Sequence, residues 1–104
     1  MARVIRTAIA SADLKQIARY IAKKSESRSI AIRFLDAVER RLHLHATQPE
    51  MGQRRPDLGD DVRHFSIGHY VVFYRPVEAG IEVLRIVHGS RDVPSPWWKP
   101  GREA

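Results

Sequence analysis

The chain has 104 residues, 43% of them hydrophobic and 29% charged, a composition typical of a single globular domain over residues 1–104. Its 18 lysines and arginines outnumber 12 acidic residues, and the formal charge of +6 favours nucleic acid, acidic protein segments or anionic lipid as partners. The absence of cysteine excludes disulfides, thiolate catalysis and cysteine-bound zinc, and it is compatible with a reducing cytoplasm.

The N-terminal half predicts a strand followed by two helices. Residues 3–7, RVIRT, are short and β-branched, as in a strand. Ser11 is the expected cap of a first helix. The apolar residues of this helix recur at helical spacing at Leu14, Ile17, Ala18 and Ile21. A second helix is expected from about Ser29 to Thr47, and the short polar link between the two predicts an antiparallel helix hairpin.

The C-terminal half predicts a loop, three strands and a tail. Residues 50–61 contain two glycines and a proline, which favour a loop. Strands are expected at about 62–67, 70–75 and 81–88, with connections short enough for β-hairpins. Residues 93–104, VPSPWWKPGREA, contain three prolines and are expected to form an irregular tail.

The predicted order, β-α-α-β-β-β, indicates an α+β fold of two layers. In this sandwich the helix hairpin packs on one face of a mostly antiparallel sheet, and the other face is more open. We expect Leu84 and Ile86, together with Val71 and Phe73, to face the helices. Because side chains alternate along a strand, Arg85 would then stand on the open face.

Four segments in this order resemble the ParE/RelE superfamily of toxins from bacterial type II toxin–antitoxin pairs. They are ADLKQIARYIA, AIRFLDAVERRL, QPEMGQRRPDL with VRHF after it, and VLRIVHGSRD. The ParE branch is most similar, because the helix hairpin and the HGSRD ending match it best. The resemblance implies a toxin that poisons DNA gyrase and is held inactive by the C-terminal segment of a cognate antitoxin. It also implies a hetero-oligomer that reaches operator DNA only through the antitoxin.

The alternative within the superfamily is a RelE-like ribosome-dependent mRNA endoribonuclease, which needs an acid, a base and cations. Arg91 matches a phosphate-contacting arginine of RelE-type enzymes. Their tyrosine six residues later is replaced here by Trp97, which has no usable proton chemistry. The RelE lysine pair has no clear match between residues 50 and 65. His88 is the remaining acid/base candidate and Arg63 a further cation, so we expect no complete catalytic set, no metal and no cofactor.

A third class is a small basic nucleic-acid binder without toxin activity. Lysine is sparse in this chain, and no aromatic RNA-binding motif is present. Both observations disfavour this class.

Arginine supplies fourteen of the basic residues and suits two-pronged binding of carboxylates. Arg63 and Arg75 lie on predicted strands neighbouring that of Arg85, and they would share its face if the strand register allows. Arg91 follows shortly after. Two interpretations stay open: a solvated sheet surface, or a basic patch that binds an acidic antitoxin segment and then the target.

The adjacent Trp97 and Trp98 in the tail also allow two interpretations. Each offers a large apolar area that is costly to leave in water. The tail either packs back onto the domain or anchors a partner, since tryptophan is frequent at the centre of protein interfaces.

Neither end of the sequence indicates membrane targeting. The N-terminus, MARVIRTAIASADLKQ, becomes polar too early for the core of a signal peptide. No apolar run approaches the roughly 20 residues that a membrane-spanning helix needs. We therefore expect a cytoplasmic protein with no membrane partner.

Overall fold

The computed structural model describes residues 2–89, so the predicted site residues Arg91, Trp97 and Trp98 lie outside the described part of the chain. The elements are β1 (Arg3–Arg6), α1 (Ala8–Ser25), α2 (Arg28–Thr47), a 3₁₀ turn (Pro49–Met51), β2 (Gln53–Arg54), β3 (Arg63–Ile67), β4 (Tyr70–Val77) and β5 (Gly80–His88). This order confirms the predicted α+β fold, with two helices packed on one mixed sheet.

The five strands form one sheet in the order β1-β5-β4-β3-β2. β1 runs parallel to β5, and the other neighbours are antiparallel. β2 is an edge strand of two residues inside the segment predicted as a loop, which a two-residue ladder is too short to announce in the sequence. Within the described residues, neither helix is long and apolar enough to cross a membrane.

The first helix begins earlier than predicted, because Thr7 and not Ser11 caps it. The Thr7 hydroxyl accepts a hydrogen bond from the Ala10 N–H at 3.0 Å. The same residue binds β5: its N–H donates to the Val83 carbonyl and its hydroxyl to the Leu84 carbonyl. Thr7 therefore fixes both the start of α1 and its position beside the sheet.

The strand faces differ from the prediction. In β4, Val72 and Tyr74 pack with the helices, whereas Val71 and Phe73 belong to a second cluster on the opposite face. A strand of mixed apolar and aromatic residues has no polar face to mark which side is inward, so its parity is ambiguous in the sequence.

A β-bulge explains the faces of β5. Arg85 lies opposite Phe73, but the next partner pair joins Tyr74 to Val83, so Leu84 is an extra residue. Alternation is therefore broken, and Val83 and Ile86 both face the helices although they are three residues apart. The prediction that Leu84 faces the helices is wrong, while that for Ile86 is right.

The second sheet face carries its own apolar cluster. The buried members are Leu58, Val62, Phe73, Leu84 and Val87. Leu58 and Val62 come from the connection between β2 and β3, which folds over the sheet. The face predicted to be open is thus partly covered by this connection.

Candidate functional site

Arg85 lies in the bulge of β5, and its side chain binds helix α1. Its Nε donates to Asp13 Oδ2 at 2.8 Å and its Nη2 donates to Asp13 Oδ1 at 2.9 Å. The Ile86 N–H donates to the same Oδ2 at 3.0 Å. One carboxylate therefore holds both the guanidinium and the backbone of β5. The expectation that Arg85 stands on the open sheet face is wrong, because the bulge breaks the alternation on which it depended.

The Asp13–Arg85 ion pair is largely shielded from water. The side chains of Arg85 and Asp13 are 22% and 11% exposed. A carboxylate at this depth is costly unless it is paired and hydrogen-bonded, and here three N–H donors satisfy it. The charge of Arg85 is consequently offset within the fold.

A groove of about 390 Å³ lies beside this ion pair, between α1 and the last residues of β5. We name it the β5 groove; its lining comes from Asp13, Gln16, Ile17 and Tyr20 of α1, from Tyr70, and from residues 85–88. β1 ends at Arg6, opposite Val83, and so does not extend along this part of β5. The groove thus forms where the parallel strand stops and the chain turns into α1.

Aromatic rings form the sheet side of the β5 groove. The ring of His88 meets Tyr70 edge-on, with centroids 5.5 Å apart, and stacks on His69 at 6.1 Å. Tyr70 also contacts Phe34 of α2 at 5.4 Å. Burial raises the pKa of Tyr70, and the nearby Tyr20 raises it further, so the Tyr70 hydroxyl stays protonated and able to donate.

Arg63 binds the loop backbone and does not join Arg85. Its Nη1 donates to the carbonyls of Glu50 and Gly52 at 3.0 and 2.9 Å. The Tyr74 hydroxyl donates to the Pro49 carbonyl at 2.8 Å and accepts from the Gly52 N–H at 2.9 Å. A Cβ at Gly52 would lie 2.3 Å from the Tyr74 oxygen, so this close approach requires glycine. Arg63 and Tyr74 together anchor the loop to the sheet.

Arg75 is paired at a third place. Its Nε donates to Glu82 Oε1 on the neighbouring strand at 2.8 Å, and its Nη1 lies 3.7 Å from Asp61 Oδ2. This hydrogen bond to Glu82 raises the pKa of Arg75. The predicted cluster of Arg63, Arg75 and Arg85 on one bare sheet surface therefore does not form, since each guanidinium has different partners.

The ribonuclease candidates His88 and Arg63 are far apart. Arg63 lies opposite Tyr74, whereas His88 lies opposite Tyr70, four residues further along β4. This offset is about 13 Å along the strand direction, and β4 separates the two side chains laterally. General acid–base catalysis needs these groups within hydrogen-bond reach of one substrate. The described residues do not bring them to a common reacting centre.

The other shielded imidazole, His45, is built into the core. Its ring stacks on Phe65 at 4.0 Å, and its Nδ1 lies 2.9 Å from the Arg41 carbonyl. Desolvation lowers the pKa of His45, which keeps the ring neutral near pH 7. Within residues 2–89, no three His, Asp or Glu side chains are grouped to hold a metal ion.

Asp13 is the site residue that the sequence reasoning missed. It lies three residues after Ala10 and four before Ile17, both of which are buried on the sheet-facing side of α1. A carboxylate in line with two core residues on a helix is the signal that indicates a buried ion pair. Its partner is 72 residues away, so the periodicity of α1 does not identify it.

Comparisons with known proteins agree with this fold. The model of the family described as "ParE toxin of type II toxin-antitoxin system, parDE" matches residues 4–93. "Toxin ParE3" of Caulobacter vibrioides is 33% identical over 93 residues, covering 89% of this chain and 92% of that protein. A solved chain described as "Chromosomal ParDE TA system from P. aeruginosa" superposes with a TM-score of 0.69 at 20% identity, covering 85% of this chain and 96% of that one.

Proposed function

The chain belongs to the ParE toxin family of type II toxin–antitoxin systems, and on this premise we propose that it arrests growth by acting on DNA gyrase. A cognate antitoxin neutralises it in a cytoplasmic hetero-oligomer, and operator DNA is bound only through that antitoxin. Residues 1–104 act as one toxin domain in this proposal.

The separation of His88 from Arg63 carries the choice of a binding mechanism over RNA cleavage. A ribonuclease must place proton donors, proton acceptors and cations around one scissile phosphate. Here the acid/base candidate and the described cation lie at different levels of the sheet with a strand between them. A toxin that binds and traps another macromolecule has no such requirement. This supports the gyrase proposal over the RelE-like alternative.

In this proposal, the β5 groove contributes partner contacts through its aromatic side and Arg85. Arg91 follows His88 by three residues, and Trp97 and Trp98 follow Arg91. Chain continuity therefore assigns all three to the same end of the molecule as the groove. Arg63 and Arg75 remain binding candidates, each through a surface separate from the β5 groove.

Expression and a purified-enzyme assay test this function. The chain expressed alone is expected to stop growth and induce a DNA-damage response, and co-expressed reading frames from the same genome are screened for the antitoxin that restores growth. Purified chain added to gyrase, ATP and supercoiled plasmid is expected to accumulate cleaved DNA–gyrase complexes. Premixing the chain with the rescuing antitoxin is the control and should abolish them. Cleavage of mRNA on translating ribosomes, without cleaved DNA, would contradict the proposal.

A further inference from the structure

A second groove, of about 400 Å³, lies on the other side of α1, between α1 and α2. We name it the hairpin groove. Its floor is apolar and consists of Leu14, Ala18 and Leu35, all of them half-buried. Ile32 is 54% exposed and lies one turn before Leu35 on α2, so it extends the apolar strip on the same side of that helix. A strip of this kind on both helices is more than a scattered exposed side chain.

The rim of the hairpin groove is positively charged. Lys15 and Arg19 line it, and they lie four residues apart on α1, so their side chains project from the same side about 6 Å apart. Both are exposed, and within residues 2–89 neither forms an ion pair. On the α2 side, Arg6 Nη2 donates to both carboxylate oxygens of Glu39, 2.6 Å from Oε2, which neutralises that pair. The lining therefore keeps two uncompensated positive charges.

We propose that the hairpin groove binds an acidic amphipathic helix of the antitoxin, an inference that rests on the proposed function. Two antiparallel helices leave a groove that accepts a third helix by ridge-into-groove packing. Apolar side chains at every third and fourth position of the partner would cover Leu14, Ala18 and Leu35. Carboxylates one turn apart would pair with Lys15 and Arg19.

The lining favours a protein segment over nucleic acid. The groove contains no aromatic side chain on which a base can stack, and its floor offers no donor for a phosphate. An apolar floor between two cations instead matches a helix that has an apolar face and acidic flanks.

Charge-neutralising variants test the rim. The double variant K15Q/R19Q removes both cations, and the matched control K23Q/K24Q removes two exposed cations further along α1, outside the groove. Calorimetric titration with the purified antitoxin that restores growth should show about tenfold weaker binding for K15Q/R19Q than for the control. The difference should shrink at high salt, because exposed charges are screened. Equal affinities of the two variants would overturn the proposal.

A groove-filling variant tests the floor. Ala18→Leu adds a side chain at a half-buried position without lowering helix propensity appreciably. A18L should arrest growth as the parent chain does but escape neutralisation, with antitoxin binding weakened at least about tenfold. Normal neutralisation of a folded A18L protein would overturn the proposal. Loss of toxicity with unchanged antitoxin binding would also overturn it, since the groove would then contact the target.

Two further outcomes separate this inference from the function beneath it. If K15Q/R19Q loses affinity for a 20-base-pair DNA duplex but not for the antitoxin, the rim binds nucleic acid and the proposal fails. If no reading frame restores growth, or the chain alone is harmless, the proposed function fails and this inference fails with it. Circular dichroism melting of each variant verifies that it is folded.

Discussion

Helix α1 separates two grooves that treat positive charge in opposite ways. In the β5 groove, Arg85 is held by Asp13 in a shielded, two-pronged ion pair. In the hairpin groove, Lys15 and Arg19 are exposed above an apolar floor. The difference shows that a cation in this fold serves stability or recognition according to whether a buried carboxylate reaches it.

The two grooves also differ in what they offer a partner. The β5 groove presents aromatic rings and a fixed guanidinium, so a ligand finds a rigid surface with little net charge. The hairpin groove presents aliphatic side chains and mobile long cations, so a ligand gains apolar burial first and ion pairs second. A partner of the first groove is selected by shape, and a partner of the second by amphipathic pattern.

The largest expected effect follows from removing the carboxylate of the β5 groove. Asp13→Ala leaves the Arg85 guanidinium and the Ile86 N–H without their shared acceptor in a shielded place. We expect the free energy of unfolding to fall by about 3 kcal/mol, measured by urea denaturation. Asp36→Ala, at an exposed position of α2, is the matched control and should change it by less than about 0.5 kcal/mol. A D13A variant as stable as D36A would show that the ion pair is not structural.

A smaller effect is expected at the other end of the same ion pair. Arg85→Ala leaves Asp13 with one backbone donor, and we expect a loss of about 2 kcal/mol in urea denaturation. We also expect R85A to weaken growth arrest more than Arg19→Ala, because only Arg85 lines the groove proposed to contact the target. Comparison at equal folded protein levels separates the two causes. Equal toxicity of R85A and R19A would leave net charge as the explanation.

The smallest expected effect is a pH dependence confined to the β5 groove. Burial raises the pKa of Tyr70 in the folded chain above its unfolded value near 10. The folded state therefore favours the protonated hydroxyl, and this contribution to stability is complete below about pH 10 and is lost as the pH rises through the folded pKa. Tyr70→Phe should reduce the alkaline loss of stability between pH 9 and 11 in urea denaturation.

The matched control for Tyr70 comes from the hairpin groove. Arg19→Gln changes a lining residue of that groove but removes no group that titrates in this range, so it should keep the parental alkaline profile. A Y70F profile that coincides with that of R19Q would show that Tyr70 does not titrate differently on folding.

The helices and the fold class were predictable because their signals are local. Apolar residues at helical spacing identified α1 and α2, and short β-branched or aromatic runs identified β1, β3, β4 and β5. The capping residue was not predictable, since Thr7 and Ser11 both carry a hydroxyl. Only the hydrogen bonds from Thr7 to Val83 and Leu84 place the turn into α1.

The candidate site was predictable in part. Arg85 was identified from a charge inside an apolar strand, and His88 from its place at the strand end. The bulge at Leu84 carries no clear marker in VLRIVH, and it turned Arg85 from the open face towards α1. Asp13 was missed because its role depends on a contact across 72 residues.

By itself, the sequence determined the element order, the helix hairpin and the resemblance to ParE-type toxins, because each depends on residues close together in the chain. The tertiary structure alone decided which strand face is inward and which of the described arginines are neutralised. The physical reason is that a guanidinium is offset by whichever carboxylate lies within a few ångströms, and the register of β5 against β4 sets that distance. The same folding placed Leu14 and Ala18 opposite Leu35, and so formed a groove that neither helix has alone.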